Sequence, residues 1–519
     1  MKSEFNSPDD IEKRFYEMDS YLKKLTDSDP LVAIEKARGM TSDEILNQEL
    51  LDSLVSGTLI DAGIQARDCS AVNEGTSILE RLTSASPERG DFQYCLANGL
   101  SAQADLHKSP YPQWYLDTAS TRRKVRWYYQ AAGSKESTPR DIRGQSYTNL
   151  GNSLLRSYRF VEAYDCYNTA LEHDPTNGIA MTGAAHILIR MATLGTGDSQ
   201  ILLSVASKYL KRANEDPERI RTLAGEQAFA KLSKLLNADL PLVNLPDLSS
   251  ASDYQLFVAK HRLTLAPTIE GMDLDISRWD SLGLHSITEP ISEESGIPPL
   301  FAMFNVLKSE FLTARYLAYS AIHERVPESG KYFDTLDYAD YGIKYSMLTL
   351  AQRTCIDILD KAAIATSEYL NLPGDPNRIN FMNRWFDPKQ KGKTLDWQLD
   401  IRKTIVQGNT ALIAISDVAC DIMQEGFLEN KKTIRNSSTH RFTVLHELGD
   451  TGSRENKYID HYGLDGFLSQ LIETLQLTRS VLMYFGEMVA LNEYLKSNDE
   501  AFRLPMYVPD HDWIRGEEP

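Results

Sequence analysis

One stretch of the chain constrains its fold more than any other. Between Gly144 and Asn177 it reads YTNLGNSLLRSYRFVEAYDCYNTALEHDP from Tyr147 onward. Tyr147, Leu150, Gly151 and Leu154 share one face of a first helix. Ala163, Tyr167 and Ala170 share one face of a second, and Pro175 ends the unit. Small Gly151 and Ala163 let the two helices approach closely, and Tyr167 fills the space between them. Proline ends the second helix because it has no backbone N–H to donate. A hairpin of this kind cannot bury its apolar face alone, so stacked copies are expected. Leu59, Ala62, Gly63, Gly75, Leu79, Leu82 and Pro87 repeat the spacing; the interval from Gly63 to Pro87 is 24 residues, as it is from Gly151 to Pro175. The span between the two copies holds one more unit, with extra residues in a loop around His107–Trp114 (HKSPYPQW). Ala184, Ala185, Leu188, Ala206, Leu210, Ala213 and Pro217 outline a fourth unit, with an insertion at Gly195–Ser199. Residues 8–55 supply one or two further helices. Ser7-Pro8-Asp9-Asp10 starts them with an N-cap, a proline at the first position and acids in the first turn.

The pattern resembles the tetratricopeptide repeat (TPR). The resemblance implies that residues 1–240 form a helical repeat array whose concave face takes a protein or peptide ligand. The alternative is an array that packs only on the C-terminal part of its own chain, and the two stand equal. Arg122, Arg123, Lys124 and Arg126, followed by Trp127, Tyr128 and Tyr129, combine charge and rings as a nucleic-acid contact would. One charged face of a repeat helix is the preferred account.

The chain has 519 residues, enough for two to four domains. Acidic residues outnumber basic ones 73 to 55, a net charge of −18. That weighs against a protein that coats nucleic acid through its overall charge. The five cysteines are far apart and form no C-x-x-C pair, so neither a zinc ribbon nor a disulfide framework is expected. The N-terminal MKSEFNSPDDIEK lacks the apolar core of a signal peptide. Stretches such as Ala411–Ser416 are too short to span a bilayer. A cytoplasmic protein with no membrane association is expected.

Prolines punctuate residues 241–298, which form a partly ordered connector. Helical periodicity returns over residues 299–500, with residues 501–519 a C-terminal tail. Phe304, Leu307, Phe311, Ala314, Leu317 and Ala321 mark the first helix of this region. Further helices are expected over Tyr341–Leu370, Leu395–Gln424, Leu428–Leu448 (stopping at Gly449) and Gly463–Lys496. Strand signals are nearly absent, so the fold class is all-α.

One short stretch carries chemistry: Lys431-Lys432-Thr-Ile-Arg435-Asn436-Ser-Ser-Thr-His440-Arg441. An arginine, a polar residue, three others and a histidine form the signature of HEPN domains. FNVLKSEFLTARYLAY (Phe304–Tyr319) and RNSSTHRFTVLHE (Arg435–Glu447) together resemble the LA2681-like HEPN family, over roughly residues 290–500. The resemblance implies a HEPN-type helical bundle, metal-independent RNA cleavage and a homodimer that brings two motifs to one cleft. An arginine four to six residues before a histidine also occurs at Arg278/His285, Arg441/His446 and Arg454/His461. Only Arg435 is followed by asparagine. In the closest rival, Arg441/His446, Phe442 takes the second slot and reads as core, in the stripe Ile434, Ser438, Phe442, Leu445 and Leu448.

The residue types suit that chemistry. The 2′-hydroxyl of RNA attacks the adjacent phosphorus. His440 exchanges a proton near neutral pH. Arg435 holds the phosphate and its developing charge, and Asn436 orients a phosphate oxygen or His440. On an ideal helix, positions 435 and 440 splay by about 140°, so a broken helix or a second chain must complete the site. Lys431, Lys432 and Arg441 form one basic cluster for RNA. Arg378 and Arg384, with Trp385 between Phe381 and Phe386, form a second that either stacks bases or anchors an interhelical loop. No metal or other cofactor is expected.

The expected function is a HEPN endoribonuclease under the control of a TPR sensor or docking array. Its implied role is a conditional toxin in prokaryotic antiphage defence or stress response. The alternative is a non-catalytic TPR regulator that binds protein, peptide or RNA and dimerises through the helical domain.

Overall fold

The computed structural model describes residues 7–193, 198–245, 248–266, 279–284, 287–288, 297–387, 395–423, 428, 442–448 and 457–497. The chain is all-α apart from one small sheet. Its N-terminal part runs α1 (Pro8–Ser28), α2 (Pro30–Gly39), α3 (Gln48–Ala66), α4 (Cys69–Ala85), α5 (Gly90–Leu106), the single turn α6 (Trp114–Asp117), α7 (Ala119–Ser134), α8 (Arg140–Arg156), α9 (Phe160–His173), α10 (Gly178–Thr193), α11 (Ser199–Ala213), α12 (Pro217–Ala224) and α13 (Glu226–Leu236). The start of α1 follows from its sequence: Ser7 and Asp10 form a reciprocal capping box, with Pro8 in the first turn. Two helices, α1 and α2, precede α3, which carries Leu59, Ala62 and Gly63 of the first repeat copy.

Helices pack in antiparallel pairs, α3 on α4, α5 on α7, α8 on α9 and α10 on α11, and successive pairs stack. The α8–α9 pair shows why the sequence demands this. The Tyr167 ring is fully buried against Gly151 of α8 and Gly183 of α10. A Cβ at Gly151 would lie 2.8 Å from that ring, and one at Gly183 only 2.6 Å away. The phenol hydroxyl then donates to Asn152 Oδ1 at 2.7 Å. The expected insertion is a loop and α6, between α5 and α7.

In the connector, α14 (Asp253–Lys260) is capped by Ser252. Phe257, Val258, Leu263, Leu265, Trp279 and Leu282 are buried in the main core. The C-terminal region then comprises α15 (Pro299–His323), β1 (Ala339–Asp340), α16 (Ile343–Tyr369), α17 (Leu399–Val406), α18 (Ala411–Ile422), β2 (Phe442–His446), β3 (Ile459–Gly463) and α19 (Leu464–Ser497). The third expected helix is two, α17 and α18, because Gly408 takes a positive φ of 118° between them.

The expected helix over Leu428–Leu448 is corrected at its C-terminal end by the sheet; residues 429–441 of that span lie outside the described residues. Residues 442–446 are a strand, paired antiparallel with β1 and parallel with β3. Phe442 is not core: it is 73% exposed, while Leu445 and His446 are buried. The short run of apolar residues here fits a strand as well as a helical stripe, and the pairing decides for the strand.

The two halves share one hydrophobic core. They also meet through buried charge. Every residue of α18 is buried, including Asp417 and Asp421, one turn apart. Arg126 of α7 binds both carboxylates at 2.6 Å. Arg122 pairs with Asp417, and Arg159, at the start of α9, pairs with Asp421 and with Asp417 at 3.2 Å. Arg159 also holds Glu162, whose carboxylate accepts from Tyr484 of α19 at 3.2 Å. Three guanidiniums thus meet three carboxylates. Burial pushes Asp417 toward its neutral form, but Arg122, Arg126 and Arg159 outweigh burial and hold its carboxyl well below the usual range. The expected charged face on the helix carrying Arg122 and Arg126 is therefore corrected at these two residues, which lie inside the junction. Arg190–Glu487 and Arg479–Asp165 extend the ionic seam.

Candidate functional site

The small sheet brings a group of ionisable side chains into one corner. β2 runs beside β3 with His446 opposite Gly463 and Val444 opposite His461. On its other edge β1 pairs Ala339 with His446 and Asp340 with Leu445. His446 is buried, at 5% exposure. Its Nδ1 lies 3.0 Å from the main-chain oxygen of Asp337. Its Nε2 lies 2.8 Å from Nδ1 of His461, with ring centroids 5.0 Å apart. A carbonyl only accepts, so Nδ1 of His446 carries the proton and Nε2 presents its lone pair to His461.

A second group of acids adjoins this pair. The Tyr345 hydroxyl, at the start of α16, lies 2.9 Å from Asp340 Oδ2 and 2.7 Å from Glu447 Oε1. Burial and the two carboxylates push its pKa well above the ordinary range. The neutral phenol stands between the two carboxylates, and its one proton serves either of them. Outside the sheet, the loop before β1 forms a concavity of about 560 Å³ lined by Tyr332, Phe333, Leu336, Tyr338 and Tyr341. Phe333 is 94% exposed.

The proposed catalytic residues Arg435, Asn436 and His440 lie outside the described residues, as do Lys431, Lys432 and Arg441. The flanks of that segment are described. The Leu428 N–H donates to the Asp421 carbonyl at 2.8 Å, and the Phe442 N–H to the Tyr458 carbonyl at 2.9 Å. One flank thus sits on the buried ionic junction and the other on the sheet corner.

The second basic cluster has a different geometry. Trp385 is fully buried, and its indole N–H donates to the Phe381 carbonyl at 2.5 Å. Arg384 is also buried and donates to the Pro373 carbonyl at 2.9 Å. Phe386 forms a bridge with Trp397, whose indole reaches Ser416 of α18 at 3.2 Å. These rings anchor an interhelical loop and present no face to a base. Arg378 is exposed, 3.7 Å from Asp375.

In the sequence, His446 and His461 stand only as rivals of His440, and nothing there says that they meet. The signal that could have found the strand was the run Phe442-Thr-Val-Leu-His446, rich in β-branched and aromatic residues.

The array carries a polar groove of about 560 Å³, lined by Asn98, Tyr129, Asn149, Asn152, Trp114 and Arg156 among others. Tyr129 donates to Asn98 Oδ1 at 2.7 Å and Asn149 to the same atom at 3.2 Å.

The molecule is thus a helical repeat array joined to a helical domain that carries a small sheet. Residues 291–492 match the family model described as LA2681-like HEPN. No curated protein matches the chain. The matched span begins before α15 and ends within α19, so it contains the sheet corner, α18 and the Arg435–His440 segment. Among the described residues no helix is long and apolar enough to cross a membrane.

Proposed function

We propose that the chain is a HEPN endoribonuclease that cleaves RNA by attack of its own 2′-hydroxyl. His440 moves the proton, Arg435 neutralises the phosphate as charge develops, and Asn436 orients one of them. No metal takes part in this chemistry. Two chains dimerise through the HEPN domain and combine their motifs. The N-terminal array is a TPR-type sensor that restrains the nuclease in the cytoplasm until a protein or peptide ligand docks. The role is that of a conditional toxin in antiphage defence or stress response.

The observation that carries the reading is the Arg435-Asn436…His440 motif inside the span that matches a HEPN family. HEPN domains are generally of a ribonuclease type, and the ionic junction on α18 offers a route from array to motif. The test is cleavage of mixed RNA in excess EDTA by wild type, Arg435→Ala and His440→Ala. Cleavage by wild type alone supports the nuclease. Equal cleavage by all three contradicts these assignments.

The polar groove favours a second reading, in which the array captures an extended partner and the helical domain only dimerises. Partner binding without RNA cleavage under any condition is its signature.

A further inference from the structure

We propose that Asp337, His446 and His461 form a binding site for one divalent zinc-class ion. The proposal goes beyond the nuclease reading, since it concerns residues outside the Arg435–His440 motif. One ligand atom from each side chain lies within 4.8 Å of the others. Two imidazoles and a carboxylate are a common zinc donor set, and three protein ligands leave one position for water.

The sheet makes this more than a cluster. His446 comes from β2, His461 from β3, and Asp337 from the loop entering β1. The contact from His446 Nδ1 to the Asp337 carbonyl at 3.0 Å is the outer-shell bond that metal-bound histidines make. It fixes the tautomer with Nε2 as the donor atom. Facing it at 2.8 Å is His461 Nδ1, which ligates once its proton has moved to Nε2 of the same ring. Two nitrogens bound to zinc at about 2.0–2.1 Å and the tetrahedral angle lie ~3.3 Å apart. To admit an ion the pair therefore needs to part by ~0.5 Å and the Asp337 carboxylate to close in, the three ligand atoms lying within 4.8 Å of one another. The Asp337 carboxylate is oriented by Thr335 and by the Ala339 N–H at 3.3 Å. Asp340 and Glu447, clamped by Tyr345, add negative charge beside the site. All five cysteines lie on other elements, α4, α5, α9, α16 and α18.

An ion here would tie the loop before β1 to β2 and β3, more than 100 residues further along the chain. β2 follows directly on the residues that carry Arg435 and His440. The role that fits is therefore a clasp that fixes where that segment ends, with its exchangeable position open to water.

The test uses the full chain, free of any metal-binding tag. It is stripped with chelator, loaded with zinc, desalted and assayed for metal. Wild type is expected to retain about one equivalent. His461→Asn and Asp337→Asn are expected to bind at least ~10-fold more weakly, with unchanged far-UV circular dichroism. Cobalt(II) loading of wild type gives a measurement that needs no variant. Visible bands of a tetrahedral nitrogen–oxygen site, without thiolate charge transfer, support the proposal. Three results would overturn it: no metal retained, meaning a plain His–His hydrogen bond; undiminished binding in the folded variants; or a thiolate cobalt spectrum. None of these measurements involves RNA, so their failure leaves the nuclease reading to its own test.

Discussion

Two buried polar clusters in this molecule solve opposite problems. At the junction of the halves, Arg122, Arg126 and Arg159 face Asp417, Asp421 and Glu162. Cations and anions are equal in number and each has a neighbour of opposite sign. At the sheet corner, Asp337, His446 and His461 gather together, and Asp340 and Glu447 meet beside them at the Tyr345 phenol. The first set is closed electrostatically and holds helices in place. The second is a set of carboxylates and imidazoles with no cationic side chain among them. Matched charges build the joint, and mismatched donors build the site.

The largest expected effect comes from breaking the matched cluster. Asp417→Ala leaves three buried guanidiniums short of one carboxylate and should cost about 3–5 kcal/mol, read as a fall in the denaturation midpoint. The depressed pKa of Asp417 also sets a pH dependence. Its stabilisation is complete above the ordinary carboxylate value and is lost only as pH falls through the lower folded value. Wild type should therefore hold the junction in mild acid, measured by denaturant titration from pH 7 to pH 4.

Gly183→Ala is next. Its methyl would meet the Tyr167 ring at 2.6 Å, so a loss of about 1–3 kcal/mol is expected from thermal melting. A methyl at Gly57 would meet nothing within 4 Å, so Gly57→Ala should stabilise α3 by up to ~1 kcal/mol.

Much of this was legible because it is local. Gly151, Ala163 and Tyr167 announce a close helix pair within one hairpin, and the capping box at Ser7 announces a helix start. The junction was not legible, because Arg122 and Asp417 are 295 positions apart. A basic run with aromatic neighbours looks alike whether it meets solvent, RNA or buried acids. The sheet was hidden for a related reason. β1 is only two residues long, and β2 pairs in parallel with a strand beyond an intervening connection. Phe442, Leu445 and Leu448 also fit a helical stripe, and only burial shows that Phe442 faces outward. For Trp385, sequence allowed base stacking and loop anchoring equally, and its complete burial decides for the loop. The motif residues Arg435 and His440 are legible only as a motif.

A pH-dependent effect concerns Glu487, whose burial raises its pKa from 4.5 to about 7 despite Arg190 at 3.6 Å. A raised folded value means that stability is lost as pH rises between those two values. Glu487→Gln should thus stabilise the protein by about 1–2 kcal/mol at pH 8 and very little at pH 4, seen as a melting-temperature gap that widens with pH. The smallest effect is expected at exposed Arg378, where alanine should change stability by less than ~0.5 kcal/mol.

If the segment between junction and sheet corner cuts RNA, living cells will register it. The decisive experiment is inducible production of the full chain, with growth and total RNA integrity followed together. Wild type should degrade RNA and arrest growth once activated, while Arg435→Ala and His440→Ala, made at equal levels, should do neither. RNA loss and arrest undiminished in both variants, or arrest by wild type with intact RNA, would refute RNA cleavage by this motif.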